Sequence, residues 1–108
     1  MQRLGPDIHM QTTHQITEIV FEAIDEVNQL LPRDRRIPKS EDAMLFGPSG
    51  MLDSMGVVNL SVAVEEKVEK KFGVSVSLIG DEAMGEEVFP MESVQSLIGY
   101  LAKSIKKD

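Results

Sequence analysis

One strong hydrophobic pattern lies near the N-terminus of the chain. Its apolar side chains recur three and four positions apart, as they do on one face of a helix. They are Ile16, Ile19, Val20, Ala23, Ile24, Val27, Leu30 and Leu31. Thr12 and Gln15 resemble a capping box, and Pro32 cannot continue a helix. The pattern predicts a first helix over residues 13–31, preceded by a flexible leader over residues 1–11.

The next segment, residues 32–51, has no periodic pattern and contains three prolines and two glycines. A connection of this length is uncommon unless it is functional or disordered. Its apolar side chains predict the points at which it attaches to the core. They are Ile37, Met44, Leu45, Phe46, Met51 and Leu52. We also expect one turn of helix near residues 41–44.

A second helix is predicted to begin at Asp53 and Ser54, since both residue types favour the N-cap position. Gly73 suits the left-handed residue that follows a helix. Apolar residues cover more than one face between residues 57 and 64, which predicts the most buried helix of the protein. The β-branched residues there leave a strand as a rival interpretation, but the length and the caps favour a helix.

The C-terminal third predicts shorter elements. Residues 74–79 alternate and are expected to be extended, residues 81–84 are expected to form a short third helix, and Ser93 is expected to cap a last helix. The apolar face of that helix consists of Val94, Leu97, Ile98, Leu101 and Ile105. The order of elements predicts an all-α protein with one folded domain over residues 12–108.

Composition and charge restrict the function. The chain has 108 residues, no cysteine and a formal net charge of −7. One domain fits this length, and the negative charge argues against binding to nucleic acid or to anionic lipid. No segment approaches the roughly 20 apolar residues of a membrane span, and the N-terminus does not resemble a signal peptide. We therefore expect a cytoplasmic protein without membrane insertion.

The sequence gives little support to an enzyme. His9 and His14, the two histidines, precede the first helix, and no signal places them near a serine as a catalytic triad requires. Without cysteine there is no thiolate nucleophile and no thiolate metal site. The loop at residues 47–50 lacks the lysine and the glycine spacing of a phosphate-binding loop. We expect no catalytic residues and no metal site.

The remaining candidate is the sequence Leu52-Asp53-Ser54-Met55, at the junction of a glycine-rich loop and a helix. A serine at that junction is exposed. The N–H groups and the dipole of the first helical turn favour a negative group such as phosphate there. Taken alone, Asp-Ser before a helix is usually a cap, so the neighbouring motifs decide between the two interpretations.

Those motifs, in their order and spacing, resemble the acyl carrier protein family. They are Leu45-Phe46-Gly47, Leu52-Asp53-Ser54-Met55, Leu60, Glu65-Glu66, Phe72-Gly73-Val74 and Ser93-Val94-Gln95-Ser96-Leu97-Ile98. In that family an Asp-Ser-Leu-like motif opens the second helix of a small acidic bundle. The resemblance covers residues 13–105. It implies a four-helix bundle with a long loop between helices I and II and a short third helix.

The resemblance also implies a cofactor and a function. Ser54 would be the attachment point of 4′-phosphopantetheine, transferred from coenzyme A by a separate Mg²⁺-dependent phosphopantetheinyl transferase that recognises Asp53. The thiol of this group would carry acyl intermediates as thioesters, so the working thiol of a cysteine-free chain would come with the cofactor. The implied protein is a monomeric acyl carrier in fatty-acid, polyketide or related lipid biosynthesis. Acyl-loading, elongating and transferring enzymes would be its partners.

A docking surface for these enzymes follows from the same resemblance. Met55 matches the family's apolar residue after the serine. Three glutamates would extend an acidic face that attracts basic partners. They are Glu65, Glu66 and Glu69. Gly56 and Asn59 occupy positions that are often acidic in the family, so we expect partner choice to differ there.

Two alternatives stay open at this point. One is an aminoacyl or peptidyl carrier, as in nonribosomal peptide synthesis or D-alanylation. The other is an acidic helical interaction module that is never modified.

Overall fold

The computed structural model describes residues 5–48, 50–80, 83 and 85–105, with side chains from residue 12 onward. In these ranges the protein is all-helical and forms no β-strand, which confirms the predicted class. The α-helices are α1 (Gly5–Asn28), α2 (Ser54–Phe72) and α3 (Val94–Ile105). Two 3₁₀ turns cover Arg33–Arg35 and Pro90–Glu92. None of the described helices combines the length and the hydropathy that crossing a bilayer requires.

The predicted apolar face of α1 is buried, except near its C-terminal end. Its buried members are Ile16, Ile19, Val20, Ala23, Ile24 and Val27. The predicted start at residue 13 is wrong, because the helix begins at Gly5 and Thr12 lies within it. The helix therefore includes residues 5–11 of the segment assigned to the leader. The division into leader and domain stays a prediction.

The predicted end of α1 at residue 31 is also wrong, because the helix ends at Asn28. The Asn28 side chain accepts a hydrogen bond from the N–H of Ile37 at 2.8 Å and donates one to the carbonyl of Ile37 at 2.9 Å. These two bonds turn the chain away from the helix axis. Leu30, expected in the core, is consequently 70% exposed.

The long connection between α1 and α2 is attached to the core at the predicted places. Ile37, Leu45 and Leu52 are buried, and the other predicted anchors are half-buried. The expectation of a helical turn at residues 41–44 is wrong. These residues instead belong to a non-helical turn, in which the N–H of Ala43 donates to the carbonyl of Ser40.

Helix α2 begins and ends where the sequence predicts. Asp53 is its N-cap, and Gly73 follows it with a φ of +68° while its N–H donates to the carbonyl of Glu69. The expectation that α2 is the most buried helix is wrong. Met55 is 68% exposed, and Val58 and Val62 are 45% and 47% exposed. The buried face of α2 consists of Gly56, Val57, Leu60, Ser61, Val64 and Val68.

Helix α3 packs against α1 with its predicted apolar face. Ser93 caps it as expected, because Ser93 Oγ accepts from the N–H of Ser96 and Ser96 Oγ accepts from the N–H of Ser93. The predicted short helix at residues 81–84 lies outside the described residues except for Ala83. That residue is helical and fully buried.

Among the described residues, one ion pair connects α1 and α2. Lys67 Nζ donates to Glu26 Oε2 at 2.5 Å, and this hydrogen bond raises the pKa of Lys67 above its ordinary value of 10.5. A raised folded-state pKa means that the pair stabilises the fold fully below the unfolded-state pKa. The stabilisation is lost as the pH rises through the folded-state value.

We therefore expect Glu26→Gln to lower the free energy of unfolding by up to about 1 kcal/mol at pH 8, as for a partly exposed pair. The difference from wild type should shrink towards zero above the raised pKa of Lys67. Urea unfolding across pH 8–11.5 measures it. Glu69→Gln is the control, since Glu69 is exposed on α2. A difference that stays constant over this pH range would contradict the prediction.

Candidate functional site

The loop before α2 places the Asp53-Ser54 pair through backbone contacts. The N–H of Leu52 donates to the carbonyl of Leu45 at 2.9 Å, and the N–H of Gly50 donates to the carbonyl of Gly47 at 2.9 Å. Gly47 has a φ of +117°, which favours glycine. A Cβ at Gly50 would lie 2.6 Å from backbone atoms of Leu45 and Phe46. The loop therefore closes tightly on itself three residues before the N-cap of α2.

The same loop is bound to the start of α3. The carbonyl of Glu92 accepts from the N–H groups of Leu45 and Phe46, and the N–H of Val94 donates to the carbonyl of Ala43. The rings of Phe46 and Phe89 meet edge to face, with centroids 6.1 Å apart. These contacts fix the position of the N-terminal end of α2 relative to the rest of the core.

Asp53 uses one carboxylate oxygen to cap α2. Its Oδ1 accepts from the N–H of Gly56 at 2.9 Å. Its Oδ2 has no hydrogen-bond partner within the part of the chain that the structure describes, and the residue is exposed. The cap holds the side chain in place while the second oxygen faces solvent. Asp53 can thus serve as a cap and as a ligand for an incoming group at the same time.

Ser54 is the first residue of α2 and is exposed. The first N–H groups of a helix lack intrahelical acceptors, and the positive end of the dipole lies there. A negative group on Ser54 is therefore favoured. Among the described residues no side chain is hydrogen-bonded to Ser54, and His14 instead lies 3.3 Å from Glu18 on α1. The Ser54 hydroxyl is therefore accessible from solvent at the N-terminal end of α2.

The residues predicted to dock partners fall into two sets. Met55 and Asn59 are exposed on α2, as are Glu66 and Glu69. The remaining two, Gly56 and Glu65, are engaged in contacts within the protein. A docking role for each of the six stays a prediction.

Gly56 is buried, and a Cβ there would lie 2.8 Å from Cδ2 of Leu52. Glu65 is half-buried, and its Oε2 accepts from the N–H of Leu78 at 2.9 Å. A side chain at position 56 would therefore require the Leu52 side chain to move.

The structure adds two exposed apolar residues to this surface. Val58 and Val62 follow Met55 at helical spacing, and we call these three residues the α2 stripe. Beside it lies a groove between α1 and α2 with both apolar and polar lining residues, which are Glu26, Val27, Leu30, Asn59, Val62, Ala63 and Glu66. The signal for this stripe in the sequence is the second apolar face between residues 57 and 64, which by its pattern alone predicts burial.

Within the described ranges, no three His, Asp or Glu side chains come together as a metal site. Comparisons of the chain with models of protein families, with curated protein sequences and with solved structures found no match.

Proposed function

We propose that this protein is an acyl carrier protein, modified with 4′-phosphopantetheine at Ser54. The observation that carries the proposal is the exposed hydroxyl of Ser54 at the first position of α2, directly after a capping aspartate that keeps one oxygen free. The ordered motifs from Leu45 to Ile98 support the proposal, because they resemble those of carrier proteins over most of the chain.

The residues at the site fit this group. A phosphodiester on Ser54 lies at the positive end of the α2 dipole, where an anion is stabilised. The Ser54 side chain has no hydrogen bond to lose in the described part of the chain. When attached, the group supplies a thiol that holds an acyl chain as a thioester. The chain has no cysteine of its own that could supply one.

Ser54 and Asp53 have different roles in the attachment reaction. Oγ of Ser54 loses its proton to a base of the transferase and forms a bond to the phosphorus that bears pantetheine. The pyrophosphate bond of coenzyme A breaks, and the adenosine nucleotide leaves. Oδ2 of Asp53, which is hydrogen-bonded to no described residue, would lie near the Mg²⁺ of the transferase. The chain is thus a substrate of this reaction and of the enzymes that later load and transfer the acyl group.

The partner surface in this proposal is the α2 stripe with the exposed Glu66 and Glu69 beside it. An apolar centre with a charged rim is the usual anatomy of a protein interface. The proposal includes the short helix near Ala83, which completes a four-helix bundle. It describes a monomer that works in the cytoplasm.

Intact mass spectrometry tests the proposal. The protein is incubated with coenzyme A, Mg²⁺ and a broad-specificity phosphopantetheinyl transferase, beside a carrier that the transferase is known to modify. We expect the protein to gain the mass of one phosphopantetheine. No gain with several transferases, under conditions that modify the known carrier fully, would overturn the proposal.

A further inference from the structure

The buried face of α2 contains a hydroxyl that has no partner. Ser61 is 2% exposed, and its Oγ makes no hydrogen bond within the described part of the chain. A helical serine can donate to the carbonyl four residues earlier, but Ser61 does not. Buried polar groups without partners are rare and call for an explanation. The Ser61 hydroxyl can both donate and accept a hydrogen bond.

Ser61 lies on the face of α2 that begins at Ser54. Seven residues are close to two helical turns, so the two serines share a face and are about 10.5 Å apart along the axis. One turn further, Glu65 accepts a hydrogen bond from the N–H of Leu78. Leu78 therefore lies against this face at Glu65, about one helical turn beyond Ser61.

The backbone of residues 74–80 is hydrogen-bonded to other described residues at one point, where the N–H of Leu78 donates to Glu65. Leu78 is fully buried, whereas Val74 and Val76 are half-buried and Ile79 is exposed. The segment is thus held by side-chain packing rather than by a ladder of backbone hydrogen bonds, and its backbone can shift locally at lower cost than a helix or a strand.

We propose that Ser61 selects the cargo, by hydrogen bonding to an oxygen on an acyl chain that lies along this face. The inference rests on the proposed function, because the acyl chain is held by the group on Ser54. A plain hydrocarbon leaves the Ser61 hydroxyl buried and unpaired, whereas a hydroxyl on the chain pairs with it. The preferred cargo is therefore an oxygenated acyl chain.

The test compares thermal unfolding of loaded proteins. Wild type, Ser61→Ala and Ser75→Ala are charged with octanoyl-phosphopantetheine or with its analogues hydroxylated at carbon 3, 5 or 7. Intact mass first verifies that each protein is loaded. Ser75 is exposed and serves as the matched serine control. Ser61→Cys is a second variant that keeps the side-chain size but has a weaker hydrogen-bonding group.

We expect at least one hydroxylated chain to raise the Tm of wild type and Ser75→Ala by about 5 °C above the octanoyl form, the shift of one hydrogen bond in a domain of this size. The difference should vanish in Ser61→Ala and fall in Ser61→Cys. Unloaded Ser61→Ala should melt at or above wild type.

Equal differences in wild type and Ser61→Ala would overturn the inference. So would an effect of Ser61→Ala already present with phosphopantetheine alone, which would assign the hydroxyl to the group on Ser54 rather than to its cargo. Failure of the wild-type protein to load at all would instead count against the proposed function. The mass measurement separates these two outcomes.

Discussion

Ser54→Ala is expected to gain no phosphopantetheine under conditions that modify the wild-type chain completely. The alanine lacks the oxygen that forms the bond to phosphorus. The variant should fold normally, because the Ser54 side chain is exposed and is not hydrogen-bonded to any described residue. Its free energy of unfolding should stay within about 0.5 kcal/mol of wild type, as for most surface substitutions. Intact mass and urea unfolding measure the two effects.

Ser75→Ala is the matched control for this experiment, since it removes an exposed serine from another segment. It should be modified as completely as wild type. Full modification of Ser54→Ala would show that another residue is the acceptor. A strongly destabilised Ser54→Ala would contradict the placement of this side chain on the surface.

Gly50→Ala should destabilise the fold by about 1–3 kcal/mol, the usual cost of overpacking. A Cβ at this position would lie 2.6 Å from the Leu45 carbonyl carbon and oxygen and from the Phe46 Cα. These are backbone atoms, so the loop itself must move. Because Leu52 is hydrogen-bonded to Leu45 in this loop, we also expect slower modification of Ser54. Urea unfolding and a time course of intact mass measure the two effects.

Gly99→Ala is a control for which we expect the opposite change in stability. Gly99 is exposed within α3, and nothing lies within 4 Å of a Cβ built there. Alanine at an exposed helix position stabilises by about 1 kcal/mol relative to glycine. Gly99→Ala should therefore be more stable than wild type and should be modified at the same rate. If Gly50→Ala were as stable as Gly99→Ala, the close approach of the loop at Gly50 would be wrong.

The features that the sequence predicted correctly depend on local interactions. Asp53 caps α2 through an N–H three residues later, and Gly73 ends the helix through its own left-handed backbone. Ser93 and Ser96 cap α3 in the same way. Each of these contacts spans three residues or fewer, or depends on one residue's own conformation. The residue types therefore contain the necessary information.

Two of the features that the sequence did not predict depend on contacts between distant residues. The end of α1 is set by Asn28 binding the backbone of Ile37, nine residues away, and Pro32 alone gave no sign of it. The carboxylate of Glu65 accepts a hydrogen bond from the N–H of Leu78 in another segment. Glu65 is therefore more than a charge on the surface. A one-dimensional pattern does not specify which segment will lie beside a given side chain.

The α2 stripe shows a second limit of pattern reasoning. An apolar residue at helical spacing predicts a contact, but the partner can be another protein as well as the core. Val58 and Val62 fit the helical pattern of α2 and are nevertheless nearly half exposed. Their exposure depends on which sides of α2 the other elements cover in the folded chain. The described elements around α2 leave the side of the helix that contains these two residues open.

Modification of Ser54 is tested most directly on protein purified from the cells that make it. Trypsin cleaves after Lys39 and Lys67 and releases residues 40–67, a peptide that contains Ser40, Ser49, Ser54 and Ser61. Fragmentation of this peptide in the mass spectrometer locates any added group on one of the four. Our account predicts phosphopantetheine on Ser54 alone. A peptide that is unmodified under every growth condition, or that carries the group on another serine, would contradict it.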